Sequence, residues 1–220
     1  MRANLLRPAL VALACAAMAF VEGVLAPVYP VKTGLKWLVF GGSVGLYVLL
    51  TGDRRPLAVF RRPTRAALLP GAGLALIVFV GILGGYALLR PWLDLSAVTA
   101  NLGGKEGISA ATFPLVALYI SFGNSMLEEF FFRGFAFLTA ERKTSRVWLF
   151  SALAFALYHV AIMGSWFHPI WFGLFIAGLA VAGMFFDWLD RRGTIWPAWL
   201  VHMAANLAIN LIGMRMFGIL

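Results

Sequence analysis

Glu128, Glu129, Arg133, His159, His202 and Asn206 carry ionisable or strongly hydrogen-bonding groups inside stretches that are otherwise almost wholly apolar. A carboxylate beside an imidazole can bind and deprotonate a water, and low-dielectric surroundings strengthen that carboxylate as a base. His202 and Asn206 offer donors for the negative oxygen that forms when such a water attacks a peptide carbonyl. The spacing sorts the two acids. Glu129 and Arg133 are four apart and share a helix face, so they can neutralise each other, whereas Glu128 is turned about 100° away and is left for chemistry. The same spacing of four puts Phe155 with His159 and His202 with Asn206 on common faces.

Other chemistries are poorly served. There is no Gly-x-Ser-x-Gly elbow, and the single cysteine, Cys15, has no partner nearby in its run, so a covalent serine or cysteine nucleophile is not supported. One cysteine also rules out an internal disulfide and a thiolate cluster. Glu and His side chains can ligate zinc, but His-Glu-x-x-His is absent and no two histidines share a helix at ligand spacing. The sequence therefore reads as metal-independent, with no cofactor.

Helices buried in lipid must position these groups. Of 220 residues 62% are hydrophobic and 12% charged, and the mean hydropathy is +0.88. That is more apolar surface than one water-soluble core needs. Continuous apolar runs, not alternating ones, argue for helices over a closed barrel. They fall near 8–26, 35–51, 66–90, 111–140, 147–163, 169–187 and 196–214, which predicts an all-α bundle of seven or eight transmembrane helices around an interior polar site. An eighth helix, if present, is expected in a merged run or near the C-terminus. No repeat or soluble region is visible, so the chain is expected to form a single membrane domain, 1–220. Exposed to lipid, Glu128, Glu129 and Arg133 alone would cost on the order of 8–10 kcal/mol, so they must face the interior, pair or meet water. At about 1.5 Å per residue, Glu128 and His159 both lie roughly 18 Å from one end of their helices and His202 and Asn206 roughly 10–16 Å, compatible depths.

The formal charge of +9 is not read as nucleic-acid binding, because the cations fall between apolar runs. They set orientation instead. With a cytoplasmic N-terminus, the inner segments hold Arg2, Arg7, Arg54, Arg55, Arg61, Arg62, Arg65, Arg142, Lys143, Arg146, Arg191 and Arg192, and the outer ones Lys32, Lys36, Arg90, Lys105 and Arg215. That bias predicts a bacterial inner-membrane protein with its N-terminus inside. Arg2 and Arg7 before an apolar stretch also resemble a secretory signal, but the length of the run and Glu22 within it favour a retained helix.

Glu128-Glu129-x-x-x-Arg133, Phe155-x-x-x-His159 and His202-x-x-x-Asn206, in that order on successive membrane helices, resemble the CAAX protease and bacteriocin-processing family of glutamic intramembrane proteases, also called abortive-infection-like. The likeness covers roughly residues 124–210. It implies that Glu128 and His159 activate water, that His202 and Asn206 form the oxyanion hole, and that Glu129 and Arg133 support the site. It further implies a membrane-associated protein or peptide substrate.

Two other classes use the same residues. A proton-coupled transporter would run Glu and His as a relay, but the paired repeats and broken helices expected of one are not found. A non-catalytic scaffold or immunity protein would use the cluster only to hold helices together. Asn124, one turn before Glu128, is a candidate to orient its carboxylate, and Glu22 is either an accessory contact or a group near a helix end or facing the bundle. His168 is expected in a solvated turn, and Trp166, Trp171, Trp188, Trp196 and Trp199 at the interface.

Overall fold

The computed structural model describes residues 3–164 and 166–220. Arg2, counted above toward orientation, lies outside them. Among the described residues the chain is helical throughout, with no strand. Helix α1 runs as Ala3–Phe20 and continues through a wider turn, Val21–Leu25; α2 is Tyr29–Thr51; α3 is Arg65–Leu89. A short α4 follows at 96–105, then a continuous α5 at 113–138, α6 at Ser145–Met163, α7 at Pro169–Asp190 and α8 at Trp196–Met216. The seven expected runs are all present as long helices. The eighth helix, α4, lies in the connection between the third and fourth runs and not where the sequence pointed.

Six helices, all the long ones except α5, are long and apolar enough to cross a membrane. Large apolar side chains on their outer faces are exposed, Leu38, Leu49, Ile77 and Leu88 among them. With the charges turned inward, this is the pattern of a chain whose solvent is lipid, and the protein is an integral membrane protein. Helix α5 departs from the composition of the others because it carries Glu128, Glu129 and Arg133. It is also the innermost helix: Phe131, Phe132, Phe135 and Phe137 are fully buried.

Local sequence explains the helix ends. Pro30, Pro169 and Pro197 sit in first turns, where a missing N–H costs nothing. Gly52 ends α2 at φ 69°, returning its N–H to the Val48 carbonyl at 2.8 Å. The first turn of α8 is capped from α7, where the Asp190 carboxylate accepts from the Ala198 N–H at 3.0 Å. Between α2 and α3 a tight turn, Arg55–Phe60, docks onto the bundle: Val59 O accepts from Ile195 N at 3.2 Å and Phe60 O from Trp196 Nε1 at 3.2 Å.

Close helix packing relies on small residues, as expected where no hydrophobic effect drives helices together in lipid. A Cβ on Gly71 of α3 would lie 2.9 Å from the Pro197 carbonyl oxygen of α8, and one on Gly183 of α7 would lie 2.8 Å from Cα of Ala152 in α6. Inside, Phe40 of α2 stacks on Phe131 with centroids 4.0 Å apart, and Phe132 and Tyr158 pack edge-on against it. This aromatic layer lies directly beside the polar groups.

Candidate active site

Helix α5 presents both of its glutamates to the interior. Parts of it, Tyr119–Asn124 and Glu129–Leu138, are wound with i→i+5 bonding, seen at its end where Thr139 N–H reaches the Gly134 carbonyl at 3.1 Å. Such wider turns inside helices are frequent at functional sites because they re-aim side chains. Glu128 is 2% exposed and Glu129 is fully buried.

The two oxygens of Glu128 have different surroundings. Oε1 accepts from Lys36 Nζ of α2 and from Asn124 Nδ2 at 3.0 Å. Oε2 makes no hydrogen bond among the described residues. It faces Nε2 of His202 at 3.5 Å and Nε2 of His159 at 3.9 Å. Both distances are long for a direct bond and suit a small bridging molecule between the three atoms.

Each imidazole is fixed from behind. His159 Nδ1–H donates to the Phe155 carbonyl at 2.8 Å, one turn back on α6, and its ring meets the Phe155 ring edge-on at 4.8 Å. That bond sets the tautomer, leaving Nε2 of a neutral ring as an acceptor aimed at Glu128. His202 Nδ1 lies 2.7 Å from Glu129 Oε1, and Phe186 stacks on its ring at 5.7 Å.

Behind Glu129 the ionic series continues. Its Oε2 pairs with Arg133 Nε at 3.3 Å, the i,i+4 contact the spacing predicted, and Asp187 Oδ1 lies 3.8 Å from the same nitrogen. The Arg133 guanidinium lies over the rings of Phe155 (4.2 Å) and Phe186 (4.9 Å), and Ser151 Oγ donates to Asp187 Oδ1 at 2.9 Å. Arg133, Glu129 and Asp187 are all fully buried.

Glu128, Glu129, Arg133, His159 and His202 thus meet at one place, and Asn124 bonds to Glu128 as its position suggested. Asn206 sits one turn beyond His202 on the same helix, but its Nδ2 donates to the Ile120 carbonyl of α5 at 3.1 Å and it makes no bond to the central carboxylate. Glu22 is buried and pairs with Lys32 at 3.2 Å, and Lys32 also reaches Glu106 at 2.5 Å. Among the described residues no group of three or more His, Cys, Asp or Glu is arranged to hold a metal ion.

Four participants were not identified from sequence. Lys36 is not a loop cation on the outer face, as the orientation count had it, but a residue of α2 that is 6% exposed. Its position four residues after Lys32 and within the apolar run 35–51 was the available signal. The expected run 169–187 stops at Asp187 and leaves out Asp190, whereas both aspartates lie on α7 and are fully buried. Asn210 extends the His202, Asn206 series by one more turn and donates to the Ala117 carbonyl at 3.1 Å and to Ser121 Oγ at 3.0 Å, tying α8 to α5.

Comparison with known families bears on the same stretch. Over residues 110–208 the chain is similar to the family described as type II CAAX prenyl endopeptidase Rce1-like. No curated protein and no solved structure matches the chain. The Rce1-like segment takes in Glu128 through Asn206 and leaves out α1 to α4, and with them Lys36. Peptidase is the activity class this match carries.

Proposed function

We propose that the protein is a metal-independent glutamic endopeptidase of the inner membrane that cleaves membrane-associated proteins or peptides, with Glu128, His159, His202 and Asn206 as its catalytic groups. The observation that carries this reading is the free Oε2 of a buried glutamate, faced by two imidazole Nε2 atoms at 3.5 and 3.9 Å. A water held there donates one hydrogen to Glu128 Oε2 and the other to the acceptor Nε2 of His159. Glu128 takes a proton as the water oxygen bonds to the scissile carbonyl carbon, and the carbonyl electron pair moves onto its oxygen. His202, its Nδ1 anchored on Glu129, donates to that oxyanion through a protonated Nε2, and the second amide hydrogen of Asn206 is the further donor. Collapse breaks the C–N bond, and the proton held by Glu128 passes to the leaving amine. Glu129, Arg133 and Asp187 take no part in bond making. They hold His202 and the helices that carry it.

The test compares membrane proteomes of cells making the wild-type protein or Glu128→Gln, with insertion of both verified. Peptide termini produced only by the wild type are expected, and the same loss for His159→Ala. Undiminished production of every terminus by both variants would sink the endopeptidase. Cleavage by purified protein should persist in a strong chelator, and loss reversed by added zinc overturns metal independence.

A further inference from the structure

We infer that Lys36 is a positioning residue for Glu128, so that α2, which lies outside the Rce1-like segment, supplies part of the site; the inference rests on the endopeptidase reading. Lys36 Nζ contacts Glu128 Oε1 and lies 2.5 Å from Asn124 Oδ1, with the ring of Tyr158 at 4.9 Å and that of Phe40 at 5.7 Å. Asn124 completes a three-membered arrangement: its oxygen accepts from Lys36 while its nitrogen donates to the same Glu128 oxygen at 3.0 Å. Every contact to the carboxylate that meets hydrogen-bond geometry is therefore on Oε1.

That one-sidedness has a mechanical result. A carboxylate can rotate about its last bond, and an unrestrained one would turn to take the nearest donor. With Oε1 held by two donors, Oε2 stays between the imidazoles with its lone pairs free. Stability alone does not explain an ammonium here. A buried ion pair gives at best a small net gain over apolar residues of similar volume, and a charged group at depth in a membrane is costly. Lys36 Nζ bonds to Oε1 and to Asn124 Oδ1 and makes no hydrogen bond to Oε2 among the described residues, so it acts by holding Glu128.

The experiment follows the rate at which Glu128-dependent termini appear after pulse labelling, in cells with matched levels of wild-type, Lys36→Met, Lys36→Arg or Asn124→Ala protein. Lys36→Met is expected to slow their appearance about 10- to 100-fold, the scale of a misplaced catalytic group. Because it leaves the buried Glu128 without its cation, its thermal midpoint in detergent should also fall, so rates are compared per folded protein and read together with Asn124→Ala. Lys36→Arg should recover most of that rate. Asn124→Ala, which removes the other Oε1 donor without touching charge, should slow it several-fold, and it decides the matter if Lys36→Met does not fold. An unchanged rate in Lys36→Met, or in Asn124→Ala where that variant decides, overturns the inference and leaves the endopeptidase standing. So does a loss accompanied by a lowered midpoint in Lys36→Met and no slowing in Asn124→Ala. Absence of any Glu128-dependent terminus in wild-type cells sinks the endopeptidase and this inference with it.

Discussion

Arg133 shows how a full charge is kept inside an oily bundle. Its guanidinium is 0% exposed, with Glu129 at 3.3 Å, Asp187 at 3.8 Å and two aromatic faces. A delocalised planar cation can meet two carboxylates and lie flat on rings at once, which a compact ammonium cannot. Arg133→Met leaves Glu129 and Asp187 buried without their cation, and removal of one member of such a group costs about 3–5 kcal/mol. A lowered thermal midpoint in detergent is expected, and Arg133→Lys should restore only part of it. Because Glu129 also holds His202, cleavage should fall in both variants further than loss of folded protein accounts for. A midpoint equal to wild type in Arg133→Met would show that the cation contributes nothing to holding the helices together.

At the scale of helices, the site depends on how closely α6 and α7 approach, since one carries His159 and Ser151 and the other Asp187. Gly183 sets that distance: a methyl group there would stand 2.8 Å from the Ala152 Cα, a backbone atom that cannot turn aside. Gly183→Ala should push the helices apart, lower the midpoint by the 1–3 kcal/mol or so typical of overpacking, and slow cleavage; a variant as active and stable as wild type would show the contact has slack. The turn after α2 offers a pH-dependent test outside the bilayer. Hydrogen bonds from the Arg55 guanidinium hold the Asp53 carboxyl down to about 2, and Tyr47 OH donates to it at 2.9 Å. A depressed carboxyl stabilises fully above its ordinary range near pH 4 and loses that contribution as pH falls toward 2. Melting curves of Asp53→Asn should therefore lie below wild type at neutral pH and converge with it at acid pH. Sequence made the long helices legible because apolar length is a property of one segment. It misplaced Lys36 and Asp187 for the complementary reason: hydropathy reads a charge as a boundary, whereas the partners that let these charges stay inside, Glu128 and Arg133, come from another helix. The short helix 96–105 was missed because tertiary bonds hold it, among them Lys105 Nζ to the Glu22 carbonyl at 2.8 Å.

Over the whole molecule the ionic contacts form two groups, Glu106, Lys32 and Glu22 near one end, and Lys36, Glu128, His202, Glu129, Arg133 and Asp187 running from the centre toward the other. The second end is also where Arg61, Arg62, Arg142, Lys143, Arg191 and Arg192 gather, in the connections after α2, α5 and α7. Lys36 leaves the outer count by being buried, and Arg7, buried on α1 with its guanidinium on the Ala136 carbonyl, leaves the inner count in the same way, so the excess of cations on the inner side is unchanged. From the positive-inside bias we propose that the arginine-rich end faces the cytoplasm, with the N-terminus. Cysteine labelling tests this directly, because Cys15 is the only cysteine to remove. In a Cys15→Ser background, a cysteine at exposed Arg62 should react with a membrane-impermeant maleimide only after the cells are opened. One at exposed Asp94, before α4, should react in intact cells. The opposite pattern would invert the chain, and substrate peptide bonds would then have to reach Glu128 from the other side of the membrane.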